Sequence, residues 1–183
     1  MYVDGVITGT ISYNLYEYNP SGQIVKIANY NANDNSPTGF INLSNTLYEY
    51  SGSGLKIKES IEFPVAGIEE YTVFEYKSNL LSQSKKYYRN NLESYSDYQY
   101  DGSRRLTKEL TYSSDGKCLT YMIYSYSGSQ LINSDLYTYP DKVLYRSITR
   151  TYDEGNNLIV LESREMAGYS SAMSYIMKYI YYQ

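Results

Sequence analysis

The chain has 183 residues, with 16 basic and 20 acidic side chains, a net charge of −4, one cysteine and no histidine. That length fits a single domain, 1–183, able to bury a substantial core, and the acidic balance argues against nucleic acid and anionic membrane surfaces as partners. Without histidine, and with Cys118 alone, the commonest general base, an internal disulfide and a thiolate metal site are excluded, so no cofactor and no metal is expected.

Tyrosine dominates the aromatic content, with 27 Tyr against 3 Phe and no Trp. It is a strand former with an apolar body and a polar tip, suited to half-wet sheet faces. The start of the chain, Met1-Tyr2-Val3-Asp4-Gly5, carries neither the basic nor the apolar part of a signal peptide. No apolar run approaches the ~20 residues of a membrane helix, so the chain is not expected to span a membrane.

Along the chain, one unit recurs: Tyr-x-Tyr or a near relative, a turn, then an aliphatic residue that restarts an extended segment. Tyr16-Glu17-Tyr18 precedes Asn19-Pro20-Ser21-Gly22 and Ile24, and Tyr48-Glu49-Tyr50 precedes Ser51-Gly52-Ser53-Gly54 and Leu55. Phe74-Glu75-Tyr76 leads through Lys77-Ser78-Asn79 to Leu80, and Tyr98-Gln99-Tyr100 through Asp101-Gly102-Ser103 to Leu106. Tyr124-Ser125-Tyr126 leads to Leu131, and Arg150-Thr151-Tyr152 to Leu158. A second set of breakers falls about halfway: 31–39 with Pro37, Pro64 with Gly67, Asn90-Asn91, Ser113-Ser114-Asp115-Gly116, Pro140-Asp141 and Gly168. Two turns per repeat leave segments of about 9 or 10 residues, a strand's length. The prediction is an all-β antiparallel meander of about 12–14 strands made of repeated hairpins, with the two sets of turns at opposite ends. Asp-Gly at 101–102 and 115–116 is expected to provide the positive φ of tight turns.

Alternation sets the expected faces. Leu55, Ile57, Ile61 and Phe63 fall opposite Lys56, Lys58, Ser60 and Glu62. Tyr98, Tyr100, Leu106, Leu110 and Tyr112 fall opposite Gln99, Thr107, Glu109 and Thr111, with Lys108 as an exception on the apolar side. Segment 173–182 reads as a closing strand, although Met173, Ile176, Met177 and Ile180 also fit a helical stripe. So many strands must roll, close or form two layers. A rolled or barrel-like sheet is the leading expectation, and a long twisted single layer the alternative. An outer-membrane barrel is disfavoured by Lys85 and Lys86 at mid-strand, which would place a charge on each face.

The stretch from Tyr98-Gln99-Tyr100-Asp101-Gly102 to Arg105-Leu106 resembles the YD repeat, as does Tyr152-Asp153-Glu154-Gly155-Asn156-Asn157-Leu158. In size the chain is also similar to uncharacterised domains of secreted or lipid-anchored proteins of gut bacteria, described as porin-like β-barrels. These resemblances imply spiralling β-sheet and export. The expected location is extracytoplasmic (cell surface, lipid-anchored or periplasmic), with a targeting segment not present in this chain.

The candidate ligand-binding residues are Tyr16, Tyr18, Tyr48, Tyr50, Tyr98, Tyr100, Tyr124 and Tyr126. On one wall they would form a ladder of rings able to stack on a sugar or an apolar ligand. The competing reading is that regular tyrosines are the repeat's own packing. Glu69-Glu70, Asp153-Glu154 and Glu162 with Glu165 are the available carboxylate pairs, read as solvated charge, and 31–35 faintly resembles a calcium loop. No catalytic residues are expected. The chain is expected to be a non-catalytic exported module, a surface scaffold or binding protein with a glycan or cell-surface protein as partner. The alternative is a carrier holding a small apolar or glycan ligand against the tyrosine face.

Overall fold

The computed structural model describes residues 2–3, 6–7, 12–33, 36–64, 67–165 and 174–179. Two short strands, β1 (Tyr2–Val3) and β2 (Val6–Ile7), pair with each other. There follow β3 (Ser12–Tyr18), β4 (Ile24–Ala32), β5 (Phe40–Tyr50), β6 (Lys56–Phe63), β7 (Gly67–Lys77), β8 (Leu80–Tyr88) and β9 (Asn91–Tyr100). The remainder are β10 (Leu106–Ser113), β11 (Cys118–Ser127), β12 (Gln130–Thr138), β13 (Leu144–Tyr152), β14 (Leu158–Glu165) and β15 (Ser174–Lys178). Strands β3 to β15 form a 13-stranded sheet in which each lies beside its neighbour in sequence, the expected meander. Its end strands, β3 and β15, each have one neighbour in this order, so the ladder of described strands is open. The closing strand is present as β15; Met173 and Ile180 lie outside the described residues.

The chain divides into two compact units, residues 1–75 with 84–93, and residues 76–83 with 94–183. Within each, one loop shape explains the repeat. In loop 101–105 the Asp101 N–H donates to the Arg105 carbonyl (3.0 Å) and the Arg104 N–H to the Asp101 carbonyl (3.0 Å). The same pair of bonds closes loops 19–23, 51–55, 113–117 and 153–157. The fourth loop residue takes positive φ each time: Gly22 (78°), Gly54 (80°), Arg104 (64°), Gly116 (86°) and Asn156 (65°). In the Asp101-Gly102 turn the left-handed residue is therefore Arg104 rather than glycine, whereas Asp115-Gly116 places its glycine as expected.

The first loop residue explains the Asp after Tyr. Asp101 Oδ1 accepts from the N–H groups of Ser103 and Arg105, both at 2.9 Å, and Asp153 Oδ1 accepts from Asn157 N–H at 2.8 Å. Asn19 and Ser51 make the equivalent bonds to Gln23 (3.0 Å) and Leu55 (3.2 Å), so the looser copies of the motif build the same turn. The backbone donors of Arg105, and next its side chain, hold the Asp101 carboxyl below its ordinary pKa.

Each such loop is followed by a β-bulge. Tyr18 lies opposite Ile24 and Glu17 opposite Lys26, leaving Val25 without a partner. Ile57, Thr107, Leu119 and Ile159 are passed over in the same way, and Ile132 likewise after the tighter turn at Gly128-Ser129. The bulge inverts the alternation expected across a turn. Leu106 does share a face with Tyr100, but Glu109 pairs with Tyr98 and Thr111 with Ser96, while Lys108, Leu110 and Tyr112 move to the other face. In β6, Lys56 rather than Leu55 takes the place opposite Tyr50, and Glu59 lies opposite Tyr48.

In place of a layered core, the buried side chains are small and mid-strand: Ala28, Asn45, Ser60, Ser96, Ser134 and Ser163 among the described residues. Larger cross-strand neighbours flank them. Ser134 lies between Tyr124 and Ile148, and Ser60 between Leu47 and Tyr71. Two of the buried hydroxyls are partnered across strands: Ser96 with Thr111 (3.0 Å) and Ser134 with Arg150 (2.9 Å).

Candidate functional site

In the first unit the register places Tyr16, Tyr18, Tyr48 and Tyr50 on one face. Tyr16 and Tyr18 stand on β3, where every residue is exposed. Tyr50 Oη donates to the Ile24 carbonyl at 2.8 Å, bracing β5 against the start of β4. The Lys56 ammonium bonds Glu59 at 2.6 Å and lies 4.7 Å from the Phe74 ring and 5.5 Å from the Tyr48 ring.

In the second unit Tyr98, Tyr100, Tyr124 and Tyr126 likewise share a face. Tyr126 Oη donates to the Leu106 carbonyl (2.8 Å) and Tyr152 Oη to the Leu131 carbonyl (2.9 Å), repeating the brace of Tyr50. The Arg105 guanidinium lies 4.9 Å from the Tyr126 ring and donates to the Gly128 carbonyl. Tyr124 Oη donates to Glu109 at 3.2 Å. Burial, and then the Glu109 charge, push the Tyr124 hydroxyl well above its usual pKa, so it stays a neutral donor. The structure thus assembles the predicted tyrosines as two sets of four, one per unit. Part of each set is engaged in holding adjacent hairpins together.

In each carboxylate pair singled out in the sequence, at least one member is bound by a neighbouring side chain. Glu69 binds Arg89 (2.8 Å), Glu70 binds Lys86 (3.4 Å), and Glu162 binds Arg164 (2.7 Å). Asp153 closes its turn on Asn157. Asp34 and Asn35, from the calcium-like stretch, lie outside the described residues. Lys85 and Lys86 are ion-paired with Glu75 and with Glu70 and Glu93.

A second aromatic array occupies the opposite faces and escaped the sequence reading. In the first unit Tyr13 stacks on Tyr30, with centroids 5.0 Å apart, and Tyr71 on Tyr87 at 4.8 Å. In the second, Tyr95 stacks on Tyr112 (4.8 Å) and Tyr121 on Tyr137 (4.9 Å). Tyr95 and Tyr112 are direct cross-strand partners, as are Tyr121 and Tyr137. Beside these second-unit pairs lies a hollow of about 680 Å³. Its wall includes Lys108, Lys117, Lys142, Tyr112, Tyr121 and Tyr139. Cys118 is half-buried and lines the same hollow. The only sequence signal for this site was Lys108, an apparent exception to alternation. It marked the bulge.

No protein-family model and no curated protein sequence matches the chain. Among solved structures, the chain is similar to a porin-like protein from Bacteroides uniformis, at 10% identity and a TM-score of 0.44, covering 95% of this chain and 91% of that one. It is also similar to part of TcdB2-TccC3, at 13% identity and a TM-score of 0.31, covering 85% of this chain but 10% of that one. A third is a protein of unknown function from Bacteroides fragilis, at 12% identity and a TM-score of 0.29, covering 93% and 94% of the two chains.

Proposed function

We propose that the chain is a non-catalytic β-repeat module acting outside the cytoplasm, as a surface scaffold or binding element. The observation that carries this reading is the use made of the repeat's polar groups. The hydroxyls of Tyr50, Tyr126 and Tyr152 brace one strand on the next, and Glu69, Glu70 and Glu162 are ion-paired. Side chains committed to neighbouring strands build a surface rather than reacting on a substrate. The extracytoplasmic part draws on the YD-like turns, whose Asp101 and Asp153 organise the loops.

Fractionation and surface labelling of the native host, together with assays of the purified chain on chromogenic glycosides, esters and phosphates, test this reading. Envelope-associated or released protein without turnover is the expected result. A wholly cytosolic protein, or turnover abolished by a single side-chain substitution, would overturn it.

A ligand carrier is the second reading, favoured by the hollow of about 680 Å³. That volume lies within the roughly 300–1,000 Å³ of ordinary small-molecule sites. In this form the ligand sits beside Tyr112, Tyr121 and Tyr139, on the face away from Tyr98, Tyr100, Tyr124 and Tyr126.

A further inference from the structure

We infer that the hollow of the second unit binds an anionic carbohydrate, a run of sugar rings bearing carboxylates; this rests on the binding reading above and names its ligand. The first observation is charge. Lys26, Lys56, Lys58, Lys85 and Lys86 are each ion-paired with a glutamate, at 2.5 to 3.4 Å. Lys108, Lys117 and Lys142 form no ion pair among the described residues, and all three line one hollow in a chain of net charge −4.

Among the described residues no acidic group on this face is ion-paired with these lysines, although the Lys117 charge reaches Asp115. Asp97, opposite Leu110, accepts from Gln83 (2.8 Å), and Asp135, opposite Ile123, accepts from Asn133 (2.8 Å). Asp115 accepts from the Ser113 hydroxyl within its own loop. Three ammonium groups spaced around a concavity suit several negative charges carried on one ligand.

The second observation is the lining between the charges. Tyr112 and Tyr121 are each backed by a stacked partner, Tyr95 and Tyr137, at 4.8 and 4.9 Å, so their rings are held in place. Lys108 Nζ sits 5.2 Å from the Tyr121 centroid. Tyr121 thus lies between Tyr137 and Lys108, so Tyr112 is the ring that offers a sugar a stacking surface for its C–H face, while the hydroxyl tips of both offer hydrogen bonds to its rim. Leu110 and Ile123 complete an apolar floor between them. A bare anion needs the lysines alone; the aromatic lining is what selects a ring.

Titration calorimetry of the full chain with trigalacturonate at low salt tests the inference, with maltotriose as the neutral analogue and inorganic phosphate as the charge-only probe. Binding of the uronate trimer, weakened by added salt and by about tenfold or more in a K117Q/K142Q variant, is the expected result. Both lysines are exposed and lie outside any described ion pair, so the variant should keep its fold, checked by circular dichroism. Cys118 reports the location: trigalacturonate should slow its alkylation in the parent chain and not in the variant. No binding of the trimer, equal binding of maltotriose, binding undiminished in the variant, or full competition by phosphate would each overturn the assignment. None of these outcomes alters the fractionation and turnover results, so the surface-module reading stands or falls separately.

Discussion

At the scale of single residues, the fourth position of the five-residue loop carries most of the conformational demand. Gly54 (φ 80°) and Gly52 belong to the same loop, yet only Gly54 occupies the left-handed region. A Cβ at Gly52 meets nothing within 4 Å, and one at Gly54 meets the Gln23 side chain at an ordinary 3.5 Å. Space therefore does not separate the two positions; backbone conformation does. Gly54→Ala should lose about 1–2 kcal/mol in denaturant unfolding, and Gly52→Ala should stay within about 0.5 kcal/mol of the parent. Equal losses would show that the loop does not depend on its φ. Arg104 and Asn156 hold the same conformation without glycine. Each has a polar side chain with a partner, Ser78 for Arg104 (3.1 Å) and Gln130 for Asn156 (2.7 Å).

At the scale of elements, hairpins are joined in two ways beyond the backbone ladder. The second tyrosine of a unit reaches the carbonyl at the start of the adjacent strand, as Tyr50, Tyr126 and Tyr152 do. At the loops, Gln23 donates to the Gly54 carbonyl (2.9 Å) and Gln130 to Asn156 (2.7 Å), tying one turn to the next of its kind. Tyr126→Phe keeps the ring and removes the hydroxyl, so it should cost about 0.5–1.5 kcal/mol. Tyr18→Phe is the control, because Tyr18 is 60% exposed on β3, and it should cost less than about 0.5 kcal/mol. Chemical denaturation of both variants measures the difference, and a neutral Tyr126→Phe would remove the bracing role. The tyrosine repeat was legible in the sequence because it recurs at nearly constant spacing. Its bracing role was not, because the acceptor is a backbone carbonyl on another strand.

At the scale of the molecule, each strand gains its contacts chiefly from the two beside it, as in repeat proteins, where stability is built from neighbour-to-neighbour terms. The end strands should then open first. In β3 every residue is exposed, and in β15 Tyr175, Ile176 and Met177 are at least 42% exposed. Amide hydrogen exchange should be fastest in β3 and β15 and slowest at mid-strand in β5, β6, β12 and β13, near Asn45, Ser60, Ser134 and Ile148. Uniform protection from β3 to β15 would contradict this neighbour-by-neighbour account.

The extended segments, their turns and their antiparallel succession were determined by the sequence by itself, because turn chemistry and apolar spacing act over a few neighbouring residues. So was the shared face of Tyr98 and Tyr100, two positions apart in one strand. Only the tertiary structure decided which side Lys108, Leu110 and Tyr112 occupy, because one unpaired residue, Thr107, inverts everything after it. The stacking of Tyr121 on Tyr137 follows from the β11–β12 register, and Lys117 and Lys142 reach one hollow from two different loops. Alternation within a strand is local; the offset between strands is set by hydrogen bonds that form only when the two meet.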